Sequence, residues 1–539
     1  MVGRRQGPIV AGLILMLVAF MKPKEIVPVR GGATSSGGSP LILAAICLSA
    51  LVLPLSFTGG AVATPAIGRE LGGSPTGLTW ITNAFMLTFG SLLMAAGALA
   101  DQFGRKRMFA AGISLYSLLS LALAFAPTVG WLDILRAVQG IAAAAALASG
   151  TAALAQEFDG HARTRAFSML GTTFGIGLAF GPLIAGTLID AFGWRSVFVL
   201  TAVLGAIAMV FGVPRMRETR DPGAKGLDWP GALSFTATLV LFTSAVIQAP
   251  ESGWSSAYVV LMLAGSVISL IAFVVIENRV ERPMLDLSLF RVPRFVGVQI
   301  LPIGTCYCYI VLVVMLPLRF IGVEGVSEIQ AGMLMIALSA PMLVVPITVA
   351  SLTRWIPAGI LSGIGFLIAA VGLHWLSLYT VGDSMFSLLA PMVLTGIGAG
   401  MPWGLMDGLS ISVVPKERAG MAAGIFNTAR VAGEGITLAI VSAVLAGLAA
   451  ANLGHLLPDG GRDVAEAAQR LATGDITRAV ATLPAVTHEQ LQSSYEEAFR
   501  ALLHILTGIT VLSAVTVFAF LSRTPIVEEA DGASVNVAT

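Results

Sequence analysis

Long apolar runs alternate with short polar breaks along the chain, and the length of the runs supports the first inference. A helix needs about 20 mostly apolar residues to cross a bilayer. Runs of that length lie near 41–63, 80–100, 108–126, 129–155, 167–189, 196–213, 230–248, 257–276, 296–320, 330–350, 358–379, 385–413, 421–449 and 500–522. Fourteen helical spans are expected, and with them an all-α integral membrane protein. Two stretches break the rhythm. Within residues 1–40, "PIVAGLILMLVAFM" is too short to span, is flanked by Arg4, Arg5, Lys22 and Lys24, and precedes no small-residue cleavage site. It reads as an interfacial or disordered arm, tied on by the flexible "GGATSSGGSP". Residues 450–499 are polar but keep helical spacing, so a helical hairpin lying against the mouth of the bundle is expected there.

Composition agrees with that pattern. The 539 residues are 56% hydrophobic and 11% charged, with a mean hydropathy of +0.88, against about 25% charged residues in soluble domains. A net charge of +1 and the lack of a basic, aromatic-interleaved patch exclude a nucleic-acid partner. Cys47, Cys306 and Cys308 lie in apolar runs; the latter two, two apart, would face different ways on a helix, so they read as core residues rather than metal ligands or a disulfide. Lys and Arg set the topology. With the N-terminus in the cytoplasm, 22 of the 31 fall on the inner side and 6 on the outer, three more lying inside spans. Both termini are expected inside.

The stretch "GALADQFGRKRM" (97–108) sits between the second and third runs. Gly97 and Gly104 allow close approach and a tight turn, Asp101 closes one span, and Arg105, Lys106 and Arg107 open the next. This ordered set resembles the loop signature of the major facilitator superfamily. The resemblance implies a latch that braces the inner side, with Asp101 contacting neighbouring spans. "LRAVQG" (135–140) is similar to the family's fourth-span motif, with Arg136, Gln139 and Gly140 in place. "GIGLAFGPLIAG" (175–186) resembles its fifth-span antiporter motif, where Gly177, Gly181 and Gly186 permit close packing and Pro182 bends the helix. "LDWPGAL" and "ERPMLDLSLFR", flanking an extra pair of spans, are typical of the fourteen-spanner drug:proton antiporters, the QacA and EmrB group. On that resemblance residues 41–213 and 296–522 form two six-span bundles, 214–295 carry the inserted pair, and 523–539 form a cytoplasmic tail. The implied location is the bacterial cytoplasmic membrane.

The first span departs from the family. "SFTGGAVATPAI" has Ser56 where the family has Asp and Ala61 where it has Asn. A proton site must then lie elsewhere or be lost. Ionisable residues inside spans cost at least about 2.5–3.5 kcal/mol each, so the remaining ones are candidates. Glu434 and Arg430 are four apart on one helix face, which also suits a self-neutralising structural pair. Asp407 has no base at three or four residues' distance on its own helix and ranks above Glu434 as the proton carrier, although the end of a span is an ordinary place for a charge. Arg136 has Asp133 three residues before it as a local partner. Arg319 is expected to reach the outer interface, and His374 to be a packing residue.

Phe57, Trp80, Phe85, Phe174, Tyr307, Trp403 and Phe426 are available to line a cargo site, since a desolvated cation over a ring gains about 2 kcal/mol. The expected function is proton-driven efflux of lipophilic or quaternary cations by a monomer, with cargo, protons and the bilayer as partners and with no cofactor or metal. The alternative is export of one antibiotic or metabolite, for which a neutral cargo would leave the buried acids dispensable. No G-x-x-x-x-G-K-[ST], H-E-x-x-H or G-x-S-x-G stretch supports an ATP-driven pump or an enzyme.

Overall fold

A computed structural model describes residues 40–158, 160–220, 228–280, 283, 285, 287–380, 386–413, 419–458 and 461–522. The arm expected over 1–40 lies outside these residues but for Pro40, and so does the tail at 523–539. The described chain is helical throughout and holds no strand.

Helices α1 (Pro40–Leu71), α2 (Pro75–Phe103), α3 (Arg105–Ala124), α4 (Val129–Glu157), α5 (Gly160–Phe192) and α6 (Arg195–Gly212) come first. Then follow α7 (Trp229–Ser252), α8 (Ala257–Glu277), α9 (Pro293–Val323), α10 (Glu328–Leu352), α11 (Ala358–Leu376), α12 (Phe386–Ser412) and α13 (Ala419–Leu456). Two short helices, α14 (Gly461–Ala472) and α15 (Ile476–Thr482), precede α16 (His488–Leu521). Among the described residues twelve helices are long and apolar enough to cross a membrane, and α5, bent by 43° near Pro182, makes a thirteenth. Fourteen spans were expected. The run expected as a third span forms α3, a 20-residue helix that is not counted among them, because three bases in its first turn and its serines leave it less apolar than the rest.

Packing follows the order of the chain. α1 packs on α5 and α6, and α4 on α2 and α3. In the second half α12 packs on α11 and α10, and α16 on α9 and α11. The halves meet where α2 crosses α13 and α5 crosses α10, while α7 and α8 pair and α7 leans on α2 and α13. Small residues allow these crossings, because close approach in lipid depends on backbones meeting. A Cβ at Gly90 would strike the Ala432 backbone, and one at Gly332 would strike Leu183.

The hairpin is shorter than the expected 450–499. α13 runs on to Leu456, and a capping box of Thr487 and Gln490 starts α16 at His488, so only 461–482 remain for it. Val464, Ala467, Ala468 and Leu471 give α14 one buried face, packed on α13, α7 and α2. The turn at Gly474 (φ +76°) rests on Leu318 and Gly322 of α9. α9 itself contains two π-helical stretches, Cys306–Ile310 and Leu318–Val323.

Candidate functional site

α5 from the first half and α12 and α13 from the second bring Phe174, Trp403 and Phe426 around one point. What stands at that point is the guanidinium of Arg430, 5.6 Å from the Phe174 centroid and 5.9 Å from each of the other two. The aromatic cage expected for a cationic cargo already holds a cation, the chain's own. Arg430 donates through Nη2 to Asn427 Oδ1 at 2.8 Å and through Nη1 to Asp407 Oδ1 at 3.4 Å. Its Nε is buried with no partner among the described residues.

Two acids flank this cation unequally. Asp407 faces open space, its side chain 56% exposed against 11% for Arg430. Glu434 is 4% exposed, and no ion pair joins it to Arg430 among the described residues. The sequence argument that Asp407 lacks a base is corrected here. α12 supplies none, but α13 does, from 23 residues further on. The self-neutralising Arg430–Glu434 pair is not the arrangement found either, because the guanidinium points at α12. Cys306 of α9 lies within electrostatic reach of both Glu434 and Arg430, and the Tyr307 hydroxyl bonds Thr437.

Space opens beside the cage on the α5 side. Gly175 is buried, yet a Cβ there would meet nothing nearer than Met342 O at 4.0 Å; at Gly171 it would meet only Asp407 Oδ2, also at 4.0 Å. The face of α5 toward α1 is the reverse. A Cβ at Gly177 would land on Pro54 of α1 and one at Gly181 on Thr58 Oγ1, while further along the helix one at Gly186 would land on the Glu328 carbonyl at the start of α10. Thus α5 is tight against α1 and loose beside Asp407.

The remaining aromatic candidates are placed elsewhere. Phe57 is buried in the main core and Trp80 packs against α7 and α13. Phe85 lies under the guanidinium of Arg136 at 4.4 Å. Arg136 is wholly buried, donating to Ile81 O, Ser56 Oγ and Gln139 Oε1, each at 2.8 Å. Ser56 therefore meets the arginine as a neutral acceptor where the family has a carboxylate. Gly140 sits against Phe85 O and Thr88, which closes α4 onto α2.

At the far end of the bundle from the hairpin, Gly104 (φ +108°) joins α2 to α3. Asp101 accepts from Arg105 Nε at 3.0 Å and Nη2 at 2.7 Å. The contact to neighbouring spans expected of Asp101 is instead made through the segment after α6. Arg105 N donates to Thr219 O at 2.9 Å, Lys106 N donates to Glu218 Oε1 at 3.2 Å, and Arg107 faces Glu218 at 3.7 Å. Glu218 thereby caps the start of α3, where negative charge is favoured. A Cβ at Gly97 would meet nothing nearer than the Ala148 side chain at 4.0 Å.

Arg319 does not reach the interface. It is 3% exposed and donates through Nε to Glu324 Oε1 at 2.5 Å, with its guanidinium over Phe499 at 4.9 Å and Tyr379 at 5.3 Å. Burial pushes the Glu324 carboxyl up from its ordinary value, and Arg319 pulls against that rise. Five residues of separation hid this pair, since an α-helix would place the two on different faces. Glu218 and Asn427 also went unread, being ordinary polar residues until the fold supplies their partners.

The model of a family described as Major Facilitator Superfamily matches residues 46–438. The multidrug resistance protein Stp of Mycobacterium tuberculosis is 30% identical over 73% of this chain and 73% of its own length. The cephamycin export protein CmcT of Amycolatopsis lactamdurans is 32% identical over 77% of this chain and 86% of its own. Among solved structures, a bacterial homologue of the human lysosomal transporter Spinster, in an inward-facing and unoccupied conformation, superposes with a TM-score of 0.60. That likeness, at 17% identity, covers 92% of this chain and 98% of the other and speaks to the fold.

Proposed function

The chain belongs to the major facilitator superfamily, and from that premise we propose that it exports lipophilic, antibiotic-like compounds from the cytoplasm in exchange for protons. Relatives named for multidrug resistance and for antibiotic export support the export half. The proton half rests on one observation, the carboxyl of Glu434 buried without an ion pair beside a caged arginine. An unpaired ion away from water costs several kcal/mol, so a carboxyl held there without a partner is suited to carrying a proton. Glu434 is the proton carrier, and the half-exposed Asp407 is the acid that meets cargo.

The fourteen-spanner reading goes with this function. Two six-helix bundles rock about the Arg430 region, α7 and α8 are the inserted pair, and both termini face the cytoplasm of a bacterial cell as a monomer. The membrane potential assists, at about 2.3 kcal/mol per charge per 100 mV. Asp407 and the three rings favour a cationic cargo. The cephamycin relative favours a second reading, export of one antibiotic by the same fold.

Purified protein in liposomes, given an imposed pH gradient, should move a lipophilic cation against its own gradient. Glu434→Gln should abolish the movement. Undiminished pH-driven transport in that variant would remove Glu434 as the carrier.

A further inference from the structure

An exporter that expects a cation between three rings, yet holds its own arginine there, poses a problem that the geometry also solves. Two cations cannot share the Phe174, Trp403 and Phe426 cage, because like charges a few ångströms apart repel strongly in a dry site. Arg430 must therefore leave when a cation arrives. A destination is one turn away. Glu434 lies four residues on along α13, the spacing at which side chains of a helix meet, and its carboxyl is not paired with Arg430 now.

We infer that Arg430 is a tethered competitor for the cargo seat: it fills the cage while Glu434 is protonated and swings to Glu434 when the proton leaves, vacating the rings and Asp407 for a lipophilic cation. The inference rests on the export reading and deepens it. The exchange is balanced. Loss of H⁺ from Glu434 creates the negative charge that draws Arg430 away, and one cationic cargo takes the place Arg430 leaves. Protonation reverses each step, so proton and cargo exclude each other without touching the same atoms.

Four features of the site agree. Arg430 has one short bond, to Asn427 on its own helix at 2.8 Å, a long one to Asp407 at 3.4 Å, and an Nε with no partner among the described residues. Asp407, its side chain 56% exposed, stays in contact with solvent when Arg430 leaves it. Gly171 and Gly175 leave room beside the cage for the body of the cargo. Among the described residues, the surroundings of Glu434 also hold no rival cation. Its titratable neighbours are Arg430 on α13, Asp407 on α12, and Cys306 and Tyr307 on α9, while α2 and α7 carry no acid or base except at their ends. On α16, the ring of His504 lies beside that of His374, their centroids 5.6 Å apart.

The test is tetraphenylphosphonium binding to the purified full-length protein in detergent, as a function of pH. Wild type should bind more tightly as pH rises and release about one proton per cation. Glu434→Gln, a permanent mimic of the protonated acid, should bind at least ten-fold more weakly at high pH. Arg430→Met should lose the pH dependence and bind at low pH at least ten-fold more tightly than wild type. The double variant Arg430→Met, Glu434→Gln removes both buried charges together, which leaves no uncompensated ion to impede folding. It should recover tight, pH-independent binding.

A folded double variant that fails to bind would show that Glu434 holds the cation itself, and would overturn the arm. Weaker binding in Arg430→Met would do the same. Should wild-type protein bind no tetraphenylphosphonium at any pH, the arm falls, while pH-driven movement of another lipophilic compound in liposomes would keep export standing.

Discussion

Gly181 is the sharpest place to test the packing argument. A Cβ added there would land on Thr58 Oγ1, with Thr58 Cβ at 3.0 Å and Cγ2 at 3.5 Å. The hydroxyl is not free to turn aside, because it donates to the Pro54 carbonyl at 2.8 Å within α1. Even alanine does not fit at this position without displacing Thr58. Overpacking of this kind costs about 1–3 kcal/mol, and the lost hydroxyl bond adds about 1. Gly181→Ala should therefore be destabilised by about 2–4 kcal/mol in detergent, read from the thermal unfolding midpoint by size exclusion, and should transport poorly. Thr58→Ala removes the atom struck first. The pair Gly181→Ala, Thr58→Ala should be more stable than Gly181→Ala alone, with a coupling of about 1–3 kcal/mol. If Gly181→Ala matches wild type within about 0.5 kcal/mol, or if the two effects simply add, α1 and α5 do not meet as described. Gly181→Leu should not yield active protein at all.

Other outcomes follow from the same reasoning. Asp101→Asn and Arg105→Ala should leave equilibrium cargo binding within two-fold while slowing vesicle transport strongly, and loss of binding with normal exchange rates would refute the latch. Glu218→Ala, which uncaps α3 and frees Arg107, should cost about 1 kcal/mol by thermal unfolding, and an unchanged midpoint would refute the cap. Removing one partner of the buried pair, as in Arg319→Met, should cost about 3–5 kcal/mol, whereas Arg319→Met with Glu324→Leu should recover most of it. Equal loss in single and double variants would show that the pair is not the cause.

What could be read in the sequence was set by what lies nearby along the chain. Apolar run length and the glycine pattern of 97–107 and 175–186 are local, and α2, α3 and α5 lie where those patterns place them. Asp407 was misread for the opposite reason, since its base comes from α13 and no spacing within α12 announces it. Trp80 and Phe426 look alike as isolated aromatics in apolar runs, yet one packs on α7 while the other faces Arg430. Helix ends were underestimated wherever polar residues continue the helix past the apolar run, as at Leu456 and His488, because an apolar count stops where hydrocarbon would and hydrogen bonding does not.

The two π-helical stretches of α9 bear on how this chain compares with its kin. In each, backbone bonds skip a residue, as when Val311 N reaches Cys306 O and Glu324 N reaches Arg319 O. A π turn amounts to one residue slipped into an α-helix, and one residue is about 100° of rotation. A sister protein whose α9 lacks the slip at Cys306–Ile310 would carry the same letters downstream but aim them a quarter turn or more away. The side chain aligned with Arg319 would leave its seat between Tyr379 and Phe499. Single-residue deletions in this helix should then be inherited as changes of face, with compensating changes appearing on α11 and α16 rather than beside the deletion.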